Sequence, residues 1–201
     1  MKKIIVMMMA VAMGVVAVAQ ESEHKGFAEA GYGLTSFSYC NASLLAGGDG
    51  KYANTPAVSA RFGYKGWTLS LGANVLQTQV DSLNERGGRA MAMIGLDDRV
   101  DIGKHFELSY AVEIGLLMMS NMFSYKGEDY SFTRYGMAGL LSVGVNYKIN
   151  ETLYGGLKVN LLDVGVPLGG KPKLPAGLSA NPRMDNGVFG YGLMFVIGTK
   201  F

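Results

Sequence analysis

Apolar side chains recur at every second position through most of this chain, in segments separated by turn-forming residues. The clearest segment begins at Trp67, where apolar residues at 67, 69, 71, 73 and 75 alternate with polar or small residues at the positions between them. Another begins at Phe106 and carries Glu107 and Glu113 on its polar side. Because successive side chains of a β-strand point to opposite faces, each segment predicts a strand with one apolar and one polar face.

Eight such segments are present, and we predict strands at residues 26–39, 56–64, 67–80, 89–102, 106–119, 131–148, 152–165 and 187–201. Three connections are tight turns, at 65–66, 103–104 and 150–151, and four are longer loops, at about 40–55, 81–88, 120–130 and 166–186. Short and long connections therefore alternate. This alternation is typical of outer-membrane barrels, in which both chain ends lie on the periplasmic side with the tight turns. The predicted fold class is all-β, an eight-stranded antiparallel up-and-down transmembrane β-barrel.

The first 19 residues are predicted to be a cleavable signal peptide. Lys2 and Lys3 precede an apolar run of about sixteen residues that ends with small residues at Ala17 and Ala19. This run is shorter than the roughly 20 residues of a membrane-spanning helix. We therefore divide the chain into a signal peptide at 1–19 and an outer-membrane β-barrel domain at 20–201.

Charge and composition exclude several function classes. The chain has 18 basic and 16 acidic residues, and removal of Lys2 and Lys3 with the signal peptide leaves 16 of each. A neutral exported chain with one cysteine is neither a nucleic-acid binder nor a disulfide scaffold. We expect no cofactor and no bound metal, because two histidines without a Cys/His cluster do not form a zinc site. We also expect no enzymatic activity, because no nucleophile–base pair is evident.

The last segment ends on an aromatic residue, Phe201, and carries Phe195, Ile197 and Thr199 at alternating positions of the same face. This arrangement resembles the C-terminal strand of Gram-negative outer-membrane proteins, which the barrel-assembly machinery recognises. Together with its strand count and loop order, the mature chain resembles the small OmpA/OmpX-like barrels, the "porin family" of outer-membrane β-barrel domains. The resemblance implies a monomeric barrel in the bacterial outer membrane, in contact with lipid and assembled by that machinery.

Four aromatic residues flank the tight turns on the apolar face, namely Tyr64, Trp67, Phe106 and Tyr147. Aromatic side chains are enriched where a transmembrane barrel crosses the boundary between lipid and water. We therefore predict that these four residues form an aromatic girdle at the periplasmic interface.

The same alternation predicts which side chains point into the barrel. Ten charged residues fall on the inward face, five acidic and five basic: Glu29, Asp97, Asp101, Glu107 and Glu113, and Arg61, Arg99, Arg134, Lys148 and Lys158. The interior of an eight-stranded barrel is just wide enough for side chains to fill, so we predict an ion-paired network that packs the lumen. Inward positions nearer the long loops are apolar, which leaves open a pocket for a small hydrophobic ligand: Leu76, Met91, Met93, Leu140, Leu162, Met194 and Val196.

The charged residue Asp98 conflicts with this assignment of inward and outward faces. Asp98 falls on the lipid-facing side with Ile94 and Leu96, where a charged side chain is costly. A β-bulge around Asp97 and Asp98 would turn the Asp98 side chain inward.

These features favour a non-enzymatic outer-membrane barrel with a structural or surface-interaction role carried by four extracellular loops. The alternative is a narrow channel or a conduit for a small hydrophobic ligand. A secreted lipocalin-like soluble barrel and a lipid-modifying barrel enzyme fit the sequence less well. Ser82, within Asp81-Ser82-Leu83 of an outer loop, resembles the O-glycosylation sites of some Gram-negative phyla and is a candidate modification site.

Overall fold

The computed structural model describes residues 26–40, 50–80, 83–168, 173–179 and 187–201. Its eight strands are β1 (Gly26–Cys40), β2 (Gly50–Tyr64), β3 (Trp67–Val80), β4 (Leu83–Ile102), β5 (Phe106–Tyr125), β6 (Glu128–Lys148), β7 (Leu153–Pro167) and β8 (Val188–Lys200). Each strand pairs antiparallel with the next, and β8 pairs with β1 to close the barrel. The predicted fold class is confirmed. The predicted signal peptide and Ser82 lie outside the described residues.

Strand pairing also fixes the tilt of the strands. Phe27 on β1 pairs with a residue on β2, which pairs with one on β3, and so on round the ring. This series of partners returns to β1 at Phe37, ten residues further along the strand. A stagger of this size in an eight-stranded ring corresponds to strands inclined by roughly 40° to the barrel axis. Residues far apart in sequence therefore meet at one level of the lumen.

Strands β4, β5 and β6 are longer on the loop side than the apolar alternation predicted. Strand β4 begins at Leu83, β5 continues to Tyr125, and β6 begins at Glu128. Strand β2 likewise begins at Gly50, before the predicted start at residue 56. The predicted loops at 40–55, 81–88 and 120–130 are therefore too long, because residues 50–55, 83–88, 120–125 and 128–130 belong to strands. Lys126 and Gly127 have φ angles of 52° and 82°, as a two-residue hairpin turn requires. The apolar pattern stops before the strands do, because their outer face becomes polar.

The outer surface of the barrel is a band of exposed apolar side chains. On β8, alternate residues from Phe189 to Ile197 are exposed on the outer surface. The residues between them are buried and face the lumen: Gly190, Gly192, Met194 and Val196. On β6, the outward tyrosines Tyr147 and Tyr135 lie twelve residues apart, about 40 Å along the strand. With the tilt, they bracket a height of roughly 30 Å, which fits the roughly 25 Å apolar band of an outer-membrane barrel and its flanking aromatic residues. No helix among the described residues is long and apolar enough to cross a membrane.

Candidate functional site

A cluster of paired charges crosses the lumen near the tight turns, and Arg61 lies at its centre. The Arg61 guanidinium contacts three carboxylates: Glu113 at 3.0 Å, Asp97 at 3.1 Å and Glu29 at 3.4 Å. Lys158 also pairs with Glu29. All five side chains are buried, so each charge depends on its partners rather than on water.

Arg99 extends the cluster toward the turns. Its guanidinium pairs with Asp97 at 2.8 Å and with Glu29 and Glu107 at 3.4 Å each. The Phe27 ring lies under this guanidinium, with its centroid 3.6 Å from Cζ, a cation–π contact. Lys200 pairs with Glu107. Four acids and four bases thus form what we call the base cluster: Glu29, Asp97, Glu107 and Glu113 with Arg61, Arg99, Lys158 and Lys200.

The structure brings together seven of the ten predicted lumen charges in the base cluster. Arg134 lies higher in the lumen, where it is buried and donates a hydrogen bond to Asn121 Oδ1 at 3.2 Å. Asp101 and Lys148 instead pair with each other at the rim, 2.6 Å apart, with the Asp101 side chain 48% exposed. Both residues are in register with inward-facing residues, Glu107 and Tyr154, but they form a separate, partly exposed ion pair and are not part of the packed base cluster.

Sequence reasoning missed a second buried ion pair, between Arg89 on β4 and Asp163 on β7. Their closest atoms are 2.6 Å apart, and Arg89 also donates to Asn74 Oδ1 at 3.2 Å. The Phe37 ring lies 4.8 Å from the Arg89 guanidinium carbon. Arg89 lies two residues before Met91 and so shares its inward face. The alternation of side chains could therefore have predicted that Arg89 points into the lumen.

Asp163 could not have been found in that way, because a bulge shifts the phase of β7. Ser142 pairs with Asn160 but Leu141 pairs with Leu162, so one extra residue lies in β7 between the two pairs. The shift turns Asp163 into the lumen, where it is 2% exposed. Leu162 is opposite the outward-facing Leu141, so its predicted inward position is wrong.

A small cavity separates the base cluster from the Arg89–Asp163 pair. Its volume is about 40 Å³, room for a few water molecules. Four predicted apolar residues are among those that line it: Met91, Met93, Leu140 and Met194. A drug-sized ligand needs a pocket of roughly 300 Å³ or more, so this cavity is too small to be the predicted hydrophobic-ligand pocket. Val196 packs beside Met194, and the side chain of Leu76 lies outside what the structure describes.

Asp98 is not turned inward. The β4–β5 pairing runs without a shift from Arg86 to Ile102 and places Asp98 opposite the outward Tyr110. The Tyr110 hydroxyl donates to one Asp98 carboxylate oxygen, and the Arg99 backbone N–H donates to the other at 2.8 Å. The predicted bulge is therefore wrong: hydrogen bonds, rather than a change of phase, accommodate this carboxylate on the outer face. Asp98 lies close to the level of Trp67 in the barrel, because Trp67 pairs with Leu96, two residues before Asp98.

An aromatic shelf lies at the loop end of the lumen. Phe123 is buried and its ring stacks on that of Tyr130, with centroids 5.5 Å apart. Leu174 and Leu178, from the loop between β7 and β8, pack against this shelf together with Tyr125 and Phe132. The Leu178 N–H donates to the Pro175 carbonyl at 3.2 Å, which closes a turn. The described part of this loop therefore covers the inner face of the β5–β6 hairpin.

The four residues predicted to form the girdle are all exposed on the outer surface beside the tight turns: Tyr64, Trp67, Phe106 and Tyr147. Phe106 and Tyr147 contact each other edge to face, with ring centroids 5.5 Å apart. Phe201 is exposed at the same end and lies 5.7 Å from the Phe62 ring. Phe195, Ile197 and Thr199 share its outward face, and their role as an assembly signal remains a prediction.

The described residues contain no group of three or more His, Cys, Asp and Glu side chains arranged to hold a metal ion. His105, the histidine within the described part of the chain, lies beside the β4–β5 turn and stacks on Tyr147, with ring centroids 6.0 Å apart.

Comparison with known proteins places this barrel by its fold. No protein-family model matches the chain, and no curated protein matches its sequence. Neisserial surface protein A is 13% identical, with a TM-score of 0.52 over 88% of this chain and 97% of its own. The Escherichia coli outer membrane protease OmpT is 8% identical, with a TM-score of 0.50 over 91% and 99%. Ail, the attachment invasion locus protein of Yersinia pestis, is 11% identical, with a TM-score of 0.46 over 89% and 99%. At these identities the likeness concerns fold alone, and the chain is an eight-stranded antiparallel β-barrel of the outer-membrane type.

Proposed function

We propose that this protein is an integral outer-membrane barrel with a closed lumen, and that its role is structural or is carried by the parts outside the membrane. The observation that carries the proposal is the base cluster. Its eight charged side chains come from six strands and pair across the lumen, and all are buried or nearly so. A path for ions or solutes would have to break several of these buried pairs, each break costing about 3–5 kcal/mol.

The length of the central strands supports a role outside the membrane. Strands β4, β5 and β6 have 20, 20 and 21 residues, whereas crossing a bilayer takes about 9–11 residues per strand. Beyond Tyr135, the outward residues of β6 are Thr133, Ser131 and Asp129, which are exposed and polar. We propose that these hairpins extend into the external medium, and that both chain ends lie in the periplasm with the tight turns.

Planar-bilayer recording tests the closed lumen. The purified full barrel should give no reproducible single-channel steps, because the base cluster occupies the lumen. Arg61→Ala removes the central guanidinium and is the matched variant, expected to raise the frequency of stray openings. Regular steps from the unchanged protein would refute the closed-lumen proposal and favour the narrow-channel alternative.

Cysteine labelling on intact cells tests the orientation. In a Cys40→Ser background, Lys126→Cys places a thiol at the tip of the β5–β6 hairpin, and Lys104→Cys places one in the β4–β5 turn; both native lysines are exposed. A membrane-impermeant maleimide should label the variant at 126 and not the one at 104. The opposite pattern would place the chain ends outside and would overturn the proposed topology.

The remaining alternatives are weaker. A soluble lipocalin-like barrel would keep a polar outer surface, whereas here a band of large apolar side chains is exposed on the outside and a cluster of paired charges crosses the lumen. Heat-modifiable migration on a denaturing gel after membrane extraction is expected from the outer-membrane barrel and would exclude the soluble one. We also propose that the protein is not an enzyme. This rests on the position of His105, at the turn and away from the lumen carboxylates, since a fold shared with a protease such as OmpT decides nothing about catalysis.

A further inference from the structure

The cavity between the base cluster and the Arg89–Asp163 pair has a mixed lining. Its apolar lining residues include Met91, Met93, Leu140 and Met194. Its polar lining residues include Ser59, Ser70, Asn160, Lys158 and Glu113. A cavity lined only by apolar groups stays dry, whereas one with several polar groups offers the two to four partners that a buried water molecule needs.

Two polar atoms of residues that line the cavity lack a hydrogen-bond partner among the described residues: Ser70 Oγ and Glu113 Oε2. Both residues are buried, with Ser70 3% and Glu113 1% exposed. The other Glu113 oxygen, Oε1, accepts hydrogen bonds from Arg61 at 3.0 and 3.1 Å. The carboxylate is thus fixed in place by Arg61 while one oxygen remains available. Leaving such an atom without a partner in the interior is unfavourable, most of all for a charged group.

We propose that this cavity is a binding site for a small cluster of water molecules, held by Glu113 Oε2 and Ser70 Oγ. At about 40 Å³, and with about 10–15 Å³ required for each molecule, it has room for about three to four. The cluster joins the base cluster to the upper ion pair, because Asp163 also lines the cavity. Water fits better than a cation, since Glu113 already pairs with Arg61 and Asp163 with Arg89, and Lys158 adds a further positive charge to the lining.

A high-resolution crystal structure of the full barrel tests the site directly. We expect an ordered water within about 2.7–3.2 Å of Ser70 Oγ or Glu113 Oε2, with at least one further water in contact with it. Density about 2.4 Å from several oxygens would indicate a cation instead and would overturn the proposal. Methionine side chains moved into the space, with no water present, would overturn it equally.

Two further measurements separate a hydrated cavity from a dry one. Xenon enters dry apolar cavities, so crystals pressurised with xenon should show no xenon beside Met91; xenon bound there would contradict the water site. Ser70→Ala should remove or displace the water that contacts the hydroxyl. Ser109→Ala is the matched control, because Ser109 is equally buried with an unpartnered Oγ among the described residues but does not line the cavity. Unchanged density in Ser70→Ala would remove Ser70 from the site.

Discussion

Replacement of one buried lysine tests whether the base cluster stabilises the barrel through its ion pairs. Lys158→Met keeps most of the side-chain volume and removes the charge that pairs with Glu29. Lys148→Met is the matched control: it makes the same chemical change in a lysine that also pairs with a carboxylate, Asp101. The two sites differ in burial, since the side chain of Lys158 is 5% exposed and that of its partner 1%, against 21% and 48% at the rim.

The expected magnitudes follow from this difference. Removal of one member of a buried pair typically costs 3–5 kcal/mol, because the other charge stays buried without full compensation. Glu29 keeps contacts with Arg61, Arg99 and the Tyr154 hydroxyl, so we expect the lower end, about 3 kcal/mol, for Lys158→Met. For Lys148→Met we expect less than about 1 kcal/mol, as for other partly exposed pairs.

Urea unfolding of the barrel in lipid vesicles provides the assay. The chain contains a single tryptophan, Trp67, which is 63% exposed on the outer surface, so its fluorescence reports transfer from lipid to water. The slope of the transition should be equal in both variants, so that midpoint shifts compare free energies of unfolding. If Lys158→Met lost no more stability than Lys148→Met, the ion pairs of the base cluster would not be buried as described, and the closed lumen would lose its main support.

Three further predictions concern other levels of the barrel. Asp163→Asn leaves the buried Arg89 without its carboxylate and should cost about 3–5 kcal/mol in the same unfolding assay; an unchanged midpoint would mean that the guanidinium has another acceptor. Gly95→Ala should prevent folding in vesicles, because an added Cβ would overlap the Val112 carbonyl oxygen, whereas Gly155→Ala, whose nearest atom would be 3.7 Å away, should fold normally. Ile114→Arg, on the lipid face, should cost about 2–4 kcal/mol in vesicles if that face meets the hydrocarbon, and full stability there would contradict the membrane assignment.

The strand number, the tight turns and most of the inward charges could be predicted from the sequence, because each depends on a local property. Side chains alternate with a period of two, and a glycine such as Gly66 readily adopts the positive φ angle of a hairpin turn, here 80° after 50° at Lys65. Apolar alternation could not define where β4, β5 and β6 end, because beyond the lipid band a paired strand no longer needs an apolar face.

Which charges pair in the lumen could not be predicted from the sequence and depends on the tertiary structure. The ten-residue stagger of the ring brings Glu29, Arg61 and Glu113 to one level although they belong to β1, β2 and β5, and no spacing along the chain encodes that stagger. One extra residue in β7 reverses the phase of the strand and turns Asp163 toward Arg89. At Asp98 the alternation of inward and outward side chains continues unchanged. The Tyr110 hydroxyl donates a hydrogen bond to the outward-facing carboxylate. Partner choice in the lumen is a non-local property, set by how eight tilted strands close on one another.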